Sequence, residues 1–456
     1  MLMRLNNVFL SSLKWLLILL PTCVLIYLIS LYGINTLYID DFKPLFDLID
    51  IKTSGHVDLS LLIKPVNEHR IFFPKLLIFA ISSFTHYNTK AMMIGSAVLI
   101  CLSYLIIARI TAQKKFTQFN FYDCLYTCIL GFCLTSVVQY ENLFWGFQIA
   151  WFLIEFCVVA GLAFITLYLR NNQTKYLIYA VVSGFIASFS SLHGLAVWPC
   201  YILTAIIYQL SDKKFDKKLC LYLICGTFVT YCLYFHGYSE NAHSLMKMTS
   251  SVKHIILFTV NTIGRVLMFH PLVKCLKCNN DTINMTYLFE GTFLTLLAGI
   301  LILYLIITKK TKENFLPIGL IIFGFAFAFM VGIGRGIQIT WGTPSRYTTY
   351  SLLVLGGVFA ILRPYISLHK FKGQITALLF IALTGLLAYS SVKNAIYLPE
   401  FAAYRLTWRD KLLNYQHESL FYLQVLHSSF RDRDSMIKRV KQIEDANLSV
   451  FYRRDK

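Results

Sequence analysis

The sequence predicts an all-α fold, a polytopic transmembrane helical bundle of about eleven spans with outer-face loops and interfacial helices. Three observations predict it. Hydrophobic residues make up 57% of the 456 positions and charged residues 14%, with a mean hydropathy of +0.61. A soluble protein carries about 25% charged residues, so a soluble multidomain enzyme and a disordered chain are both excluded. Apolar runs of roughly 20 residues recur along the whole length, enough for a helix to cross a bilayer with its backbone groups paired internally. Lys and Arg gather in alternate connections between those runs, as the positive-inside rule requires.

The apolar runs place spans at 15–34, 91–110, 121–138, 149–169, 176–191, 195–210, 219–235, 287–308, 315–333, 347–362 and 375–391. Residues 71–84 are apolar too, but Pro74 and Lys75 interrupt them, so this short run is expected to be interfacial or re-entrant. The first span follows Arg4 and Lys14, and Tyr32-Gly33-Ile34-Asn35 after it offers no small-residue cleavage site. It is expected to be a retained helix rather than a signal peptide.

One set of connections carries Arg109, Lys114 and Lys115, then Arg170 and Lys175, then Lys213, Lys214, Lys217 and Lys218, then Lys309, Lys310 and Lys312, then Arg363, Lys370 and Lys372. The intervening loops 139–148 and 191–198 hold no Lys or Arg, and 334–346 holds only Arg335 and Arg346. This alternation puts the N-terminus in the cytoplasm and, with an odd span count, the C-terminus outside. The net charge of +19 is thus a topology signal, and no nucleic-acid partner is expected. The partner of the body is the lipid bilayer itself.

The chain divides into a transmembrane catalytic body, 1–391, and a polar tail, 392–456, expected at the outer face. Within the body, 35–90 forms a first outer loop and 236–286 a second. The sequence shows no internal repeat or low-complexity tract.

The polar residues that stand out lie almost all in outer connections. Tyr38-Ile39-Asp40-Asp41-Phe42 follows the first span, and Asn67-Glu68-His69-Arg70 comes later in the same loop. Gln139-Tyr140-Glu141-Asn142-Leu143-Phe144-Trp145-Gly146-Phe147-Gln148 joins the third and fourth spans. Ser190-Ser191-Leu192-His193-Gly194 ends the fifth, and Arg335 and Arg346-Tyr347 flank the loop before the tenth. Each has an ordinary reading: solvated acids, local ion pairs, an interfacial aromatic belt, a satisfied histidine. Glu141 is the exception, because a carboxylate in so short and aromatic a loop is expensive unless paired. Glu155 falls inside the fourth span and is expected to be paired within the bundle.

Other chemistries find little support. There is no Walker-type phosphate loop, no GxSxG elbow and no HExxH zinc motif. Most of the twelve cysteines fall inside spans as small apolar residues. Cys275-Leu276-Lys277-Cys278 lies in the second outer loop and reads as a disulfide or free thiols rather than a metal site.

Taken in order, the acidic pair after the first helix, Asn-Glu-His-Arg at 67–70, Gln-Tyr-Glu-Asn-Leu-Phe-Trp-Gly-Phe-Gln at 139–148, Ser-Ser-Leu-His-Gly-Leu-Ala-Val-Trp-Pro at 190–199 and the late Arg346-Tyr347 resemble bacterial polytopic glycosyltransferases of the GT-C type. Some of that group resemble O-antigen glucosyltransferases that convert serotype. The resemblance covers most of residues 30–350 and leaves the tail out. It implies an inverting hexosyl transfer at the outer face of the bacterial inner membrane, from a polyprenyl-phosphate sugar such as undecaprenyl-phosphate glucose to a glycan of the lipopolysaccharide or O-antigen kind. The lipid-linked sugar is a substrate, and no cofactor or metal is expected.

The resemblance also implies that an acid of the first outer loop removes the acceptor's proton. Asp40 or Asp41 occupies that place. Many family members carry Asp-Glu, Glu-Asp or Asp-x-Asp there, so the adjacent pair leaves the choice open, and Glu68 or Glu141 can hold the role. The leaving lipid phosphate needs positive charge or strong donors, which His69, Arg70, Arg335 or Arg346 can supply. Tyr140, Asn142, Trp145, Gln148, His193 and Tyr347 complete the expected binding surface. Two other readings stay open. An O-antigen polymerase or ligase also has many spans and a large outer loop, and Arg265 and His270 lie in that loop here. A lipid-linked glycan transporter or flippase would carry charged residues through mid-membrane, where Glu155 is the main candidate.

Overall fold

The computed structural model describes residues 2–56, 59–66, 68–238, 251–267, 280–335, 344–366, 371–418 and 432–452. Asn67, His270, Cys275, Cys278 and Lys370 lie outside them. Among the described residues the fold is all helical, and the one β-bridge is an isolated pairing of Val66 with His69. Among the described residues, ten helices are long and apolar enough to cross a membrane. The protein is a multi-pass membrane bundle, the fold class the composition predicts.

Helix α1, Leu2–Tyr32, leads into a short loop and the 3-10 turn Ile39–Asp41. Three helices then build the first large loop: α2, Phe42–Ser54; α3, Leu59–Ile63; and α4, Phe72–Thr85. Lys75 explains why 71–84 is no span. It is fully buried and 2.9 Å from the equally buried Asp47, and its Nζ also donates to Leu61 O and Lys64 O. A run that must keep an ion pair and two carbonyl bonds is held inside protein, away from lipid.

The bundle continues with α5, Thr89–Ala112, and α6, Phe121–Leu134. Their starts are set by sequence: the Asn88 side chain accepts from Lys90 N and Ala91 N, and that of Asn120 accepts from Asp123 N. Each bond satisfies a helix-end donor that has no intrahelical partner. A tight loop carries the single turn α7, Tyr140–Leu143, into α8, Ile149–Asn171. Helix α9, Thr174–Ser188, has only 15 residues, about 22 Å of rise. That is short of the roughly 30 Å hydrocarbon thickness, so the span expected at 176–191 is a shorter helix. It stops early because Leu192–Ala196 forms a 3-10 turn that takes His193 inward. Gly194 permits that turn, since a Cβ there would collide with the Ala187 carbonyl.

Helices α10, Val197–Asp212, and α11, Lys217–Phe235, follow, then α12, Val252–Gly264, and α13, Asn280–Ile307. Helices α14, Phe315–Arg335, and α15, Thr349–Leu362, pack closely through the centre. The last long helix, α16, Phe371–Leu413, has 43 residues, about 65 Å of rise and twice a hydrocarbon layer. It runs unbroken through 391, where the sequence placed the start of the tail. The chain closes with α17, Arg433–Asp445, and the 3-10 turn Ser449–Phe451.

The basic end of the bundle is laced by polar bonds. Asp123 pairs with Lys114 at 3.0 Å and with Arg363, and Arg170 Nη1 donates to Ile110 O at 3.2 Å. The opposite end holds a second apolar core distinct from the main one. There Leu45 and Ile49 of α2, Ile78 of α4, Trp145, and Trp408 of α16 join Met436, Val440 and Phe451 of the tail. This second core fixes the first loop and the tail over one mouth of the bundle.

Candidate active site

That mouth contains a polar cavity of about 340 Å³. Its lining comes from distant segments: Asp40 after α1, Glu68 and His69 before α4, Glu141, Trp145 and Gln148 between α6 and α8, His193 before α10, Arg335 at the end of α14, and Arg346 and Tyr347 before α15. Ten of the residues singled out in sequence therefore share one cavity. Among the described residues, no three His, Cys, Asp or Glu side chains are grouped so as to hold a metal ion.

The two acids of the adjacent pair part company. Asp40 lines the cavity. Asp41 is fully buried behind it, and its Oδ2 accepts from Tyr38 N and from Trp145 Nε1, each at 2.9 Å. Burial pushes the Asp41 carboxyl up to about 7, against the opposing charge of Arg405 and those two hydrogen bonds. Tyr87 Oη donates to the Asp41 carbonyl at 2.8 Å and closes the same corner. Ile39, immediately before the pair, has φ +43. A β-branched residue held there costs of order 1–3 kcal/mol, strain of a kind that clusters at functional sites. The strained turn is what aims Asp40 one way and Asp41 the other.

Glu141 is positioned from two sides. Its backbone N–H donates to Ser345 Oγ at 3.1 Å, and its Oε2 accepts from Arg346 N at 2.8 Å. The Arg346 guanidinium lies 3.8 Å from Oε1, a loose pair beside a tight backbone bond. The pairing expected for an acid in this loop is thus made largely by the main chain.

The histidines sit in a cluster of tilted aromatic rings. His69 and His193 have ring centroids 5.2 Å apart, and His193 lies 4.9 Å from Trp151 and 5.3 Å from Phe327. Ser191 Oγ and His193 Nδ1 are 3.1 Å apart. Burial holds the His69 imidazole below its ordinary range, with the Glu68 charge opposing. Glu68 and His69 are 3.8 Å apart, longer than a hydrogen bond, so the neutral ring reading prevails over an ion pair.

Four expected residues lie away from the cavity lining. Asp41 is one. Arg70 is buried and bonds Tyr234 O at 2.7 Å and His236 O at 2.6 Å, latching the first loop to the end of α11. Asn142 donates to Arg346 O and Thr349 Oγ1, at 2.8 and 2.7 Å, and so ties the two cavity loops together. Tyr140 is buried against Tyr397 and Phe401 of α16. These side chains hold the walls in place rather than face the space.

Of the lining residues that the sequence reading did not single out, Trp151 and Arg405 matter most to the chemistry. Trp151 sits one turn inside α8 and stacks flat on Tyr350, with centroids 5.3 Å apart. Arg405 comes from α16, far down the chain, with its guanidinium 4.1 Å from the Tyr38 ring centre. Trp151 read as one more apolar residue of a span, and Arg405 as one more charge of a polar tail.

Fold and cavity together define a multi-pass membrane protein with a charged cavity at one end of its helical bundle. No family model matches the sequence, and no curated protein matches it. Solved structures do. The apo oligosaccharyltransferase of Archaeoglobus fulgidus aligns with a TM-score of 0.50 at 13% identity, over 92% of this chain and 61% of that one. The archaeal oligosaccharyltransferase AglB from Archaeoglobus fulgidus, in complex with an inhibitory peptide and a dolichol-phosphate, aligns at 0.51 and 11% identity, over 95% and 60%. The chain thus spans about three-fifths of the length of these neighbours. At such identities the likeness is one of fold.

Proposed function

We propose that the protein is a membrane glycosyltransferase that moves a sugar from a polyprenyl-phosphate donor to a surface glycan of the O-antigen or lipopolysaccharide kind, at the periplasmic face of a bacterial inner membrane. One observation carries the reading. Carboxylates, imidazoles and guanidinium groups from loops far apart in sequence meet in one cavity at the mouth of an oligosaccharyltransferase-like bundle. A lipid phosphate of this general class is present in one neighbour's complex.

The chemistry follows from the lining. The acceptor hydroxyl oxygen bonds to the anomeric carbon as Asp40 takes its proton. The bond from that carbon to the phosphate oxygen breaks, and its electron pair leaves on the lipid phosphate. Attack from the face opposite the leaving group inverts the anomeric centre with a single base, by analogy with inverting hydrolases. Arginines of the cavity stabilise the charge that grows on the phosphate. Neutral His69 can donate or accept a hydrogen bond to sugar hydroxyls. Trp145, Trp151 and Tyr347 offer ring faces for a sugar ring to rest on.

The test uses membranes containing the full chain, labelled undecaprenyl-phosphate glucose and lipopolysaccharide. Label should enter the lipopolysaccharide with wild type and fall by about 100-fold or more with Asp40→Asn, the usual scale for losing a general base. Undiminished transfer by the double variant Asp40→Asn/Asp41→Asn would sink the assignment. Movement of the intact lipid-linked sugar without covalent transfer would favour a flippase. Loss of long glycan chains in a deletion strain, rather than of one branch sugar, would favour a polymerase or ligase.

A further inference from the structure

Arg405 is 2% exposed, yet it lines the cavity. Among the described residues its Nε and Nη2 have no hydrogen-bond partner, and its guanidinium is in no ion pair. Other buried or half-buried cations are better supplied, although Arg170 too leaves its Nη2 idle while Nη1 donates to Ile110 O. Lys75 is paired with Asp47 and two carbonyls, Arg70 with two carbonyls, Arg363 with Asp123, and Arg346 with Glu141. A buried guanidinium with idle N–H groups is costly unless something supplies acceptors. Tyr38 covers one face of it as a cation–π partner at 4.1 Å, which fixes the plane but satisfies no N–H group.

The idle atoms define the missing ligand. Nε and one terminal nitrogen make up one edge of the planar fork, and that edge matches two oxygens of a phosphate or carboxylate in parallel hydrogen bonds. Asp41 acts on Arg405 by charge but does not supply them: its Oδ2 is committed to Tyr38 N and Trp145 Nε1, and its buried Oδ1 makes no hydrogen bond to the guanidinium. The second apolar core holds Trp408, three residues further on the same helix, and so keeps Arg405 in place before any ligand arrives. A preorganised donor of this kind loses little on binding.

We propose that Arg405 is the oxyanion-binding residue of the cavity, taking two oxygens of a lipid phosphate through Nε and Nη2. The proposal rests on the donor class named above and adds that α16, outside the region of sequence resemblance, completes the site. The part of α16 beyond residue 391 is thereby part of the binding machinery rather than an appendage.

The experiment follows thermal unfolding of the full-length protein in detergent against farnesyl phosphate, farnesol and inorganic phosphate. Wild type should be stabilised by farnesyl phosphate well beyond farnesol. Arg405→Met should lose that preference. Arg405→Lys keeps the charge but not the fork, and should bind farnesyl phosphate about tenfold more weakly, the scale of one charged hydrogen bond. If Arg405→Met does not fold, Arg405→Lys decides alone, and wild-type affinity in it overturns the assignment. A phosphate preference undiminished in both variants overturns Arg405 while leaving the donor reading intact. Wild type that does not distinguish farnesyl phosphate from farnesol overturns the donor reading and this proposal with it. An equal shift with inorganic phosphate overturns the lipid as the source of the anion.

Discussion

Trp145 Nε1 donates a 2.9 Å hydrogen bond to Asp41 Oδ2, across 104 positions of sequence. This bond removes Asp41 from the cavity that its neighbour Asp40 lines. Two adjacent acids of the same type therefore have separable roles. Asp40→Asn should lose about 100-fold or more of transfer with thermal stability near wild type. Asp41→Ala should orphan the Tyr38 N–H and the Trp145 Nε1–H, and cost about 1–3 kcal/mol for each buried donor left unsatisfied. Transfer assays beside unfolding curves check both. A destabilised Asp40→Asn with a stable but inactive Asp41→Asn would reverse the roles.

The burial of Asp41 also sets a pH dependence. Its carboxyl stands at about 7 in the folded chain and near 3.8 in the unfolded one. Between those values the folded state keeps a proton that the unfolded state has released. Stability from this group is therefore complete below about pH 4 and falls as pH rises toward 7, by up to about 1.4 kcal/mol per unit. Asp41→Asn cannot release a proton and should flatten that part of the profile. Melting curves in detergent from pH 4.5 to 8 test it, and parallel slopes for wild type and variant would refute it.

Much of the fold was legible because lipid imposes a one-dimensional pattern on sequence. Apolar length gave the long helices, and the polar residues of the alternate loops do meet at one mouth. What was not legible depends on three-dimensional placement. The 176–191 run looked like a span because hydropathy does not register where a helix stops, and here Ser188 ends it. Arg70 and Asn142 belong to the same motifs as cavity residues but spend their donors on carbonyls and a hydroxyl. Which of Asp40 and Asp41 faces the cavity goes with a Trp donor from another loop. Arg405 had no local mark at all, since Arg409 and Lys411 beside it have the same composition. Only the docking of α16 distinguishes it.

The buried Lys75–Asp47 pair gives a stability test independent of catalysis. Both side chains are essentially inaccessible, and Lys43 reaches Asp47 from one turn away at 3.0 Å. Lys75→Met should leave the Asp47 carboxylate with the partly exposed Lys43 alone and release the Leu61 and Lys64 carbonyls, at up to about 3–5 kcal/mol. The double variant Lys75→Met/Asp47→Leu removes that charge and should recover much of the loss, because a buried pair is often replaceable by apolar residues. A double variant no more stable than Lys75→Met would mean that the carbonyl bonds of Lys75, and not its ion pair, hold α3 to α4.

The tail should prove structural for the first loop as well as a source of binding groups. Met436, Val440, Ile443, Leu448 and Phe451 all enter the second core against α2. Ser449 N donates to His86 O at 2.7 Å, and Tyr452 stacks on His86 with ring centres 3.9 Å apart. Arg439 adds a 3.2 Å contact to Asp50, half-exposed and so of little energy. A chain stopped after residue 431 would expose that face, losing burial worth about 1.5–3 kcal/mol for each large apolar side chain. It should keep the main membrane core, since the two share no buried residue, only the half-buried Leu99 that packs against both. The expected result is a protein that still inserts and purifies, is cut by protease within 42–54, and transfers sugar poorly because Asp40 and Glu68 are no longer held. Arg439→Ala, by contrast, should change neither protease pattern nor activity. Resistance of 42–54 in the shortened chain would show that the loop holds itself, and the second core would then be a consequence of the loop's shape rather than its cause.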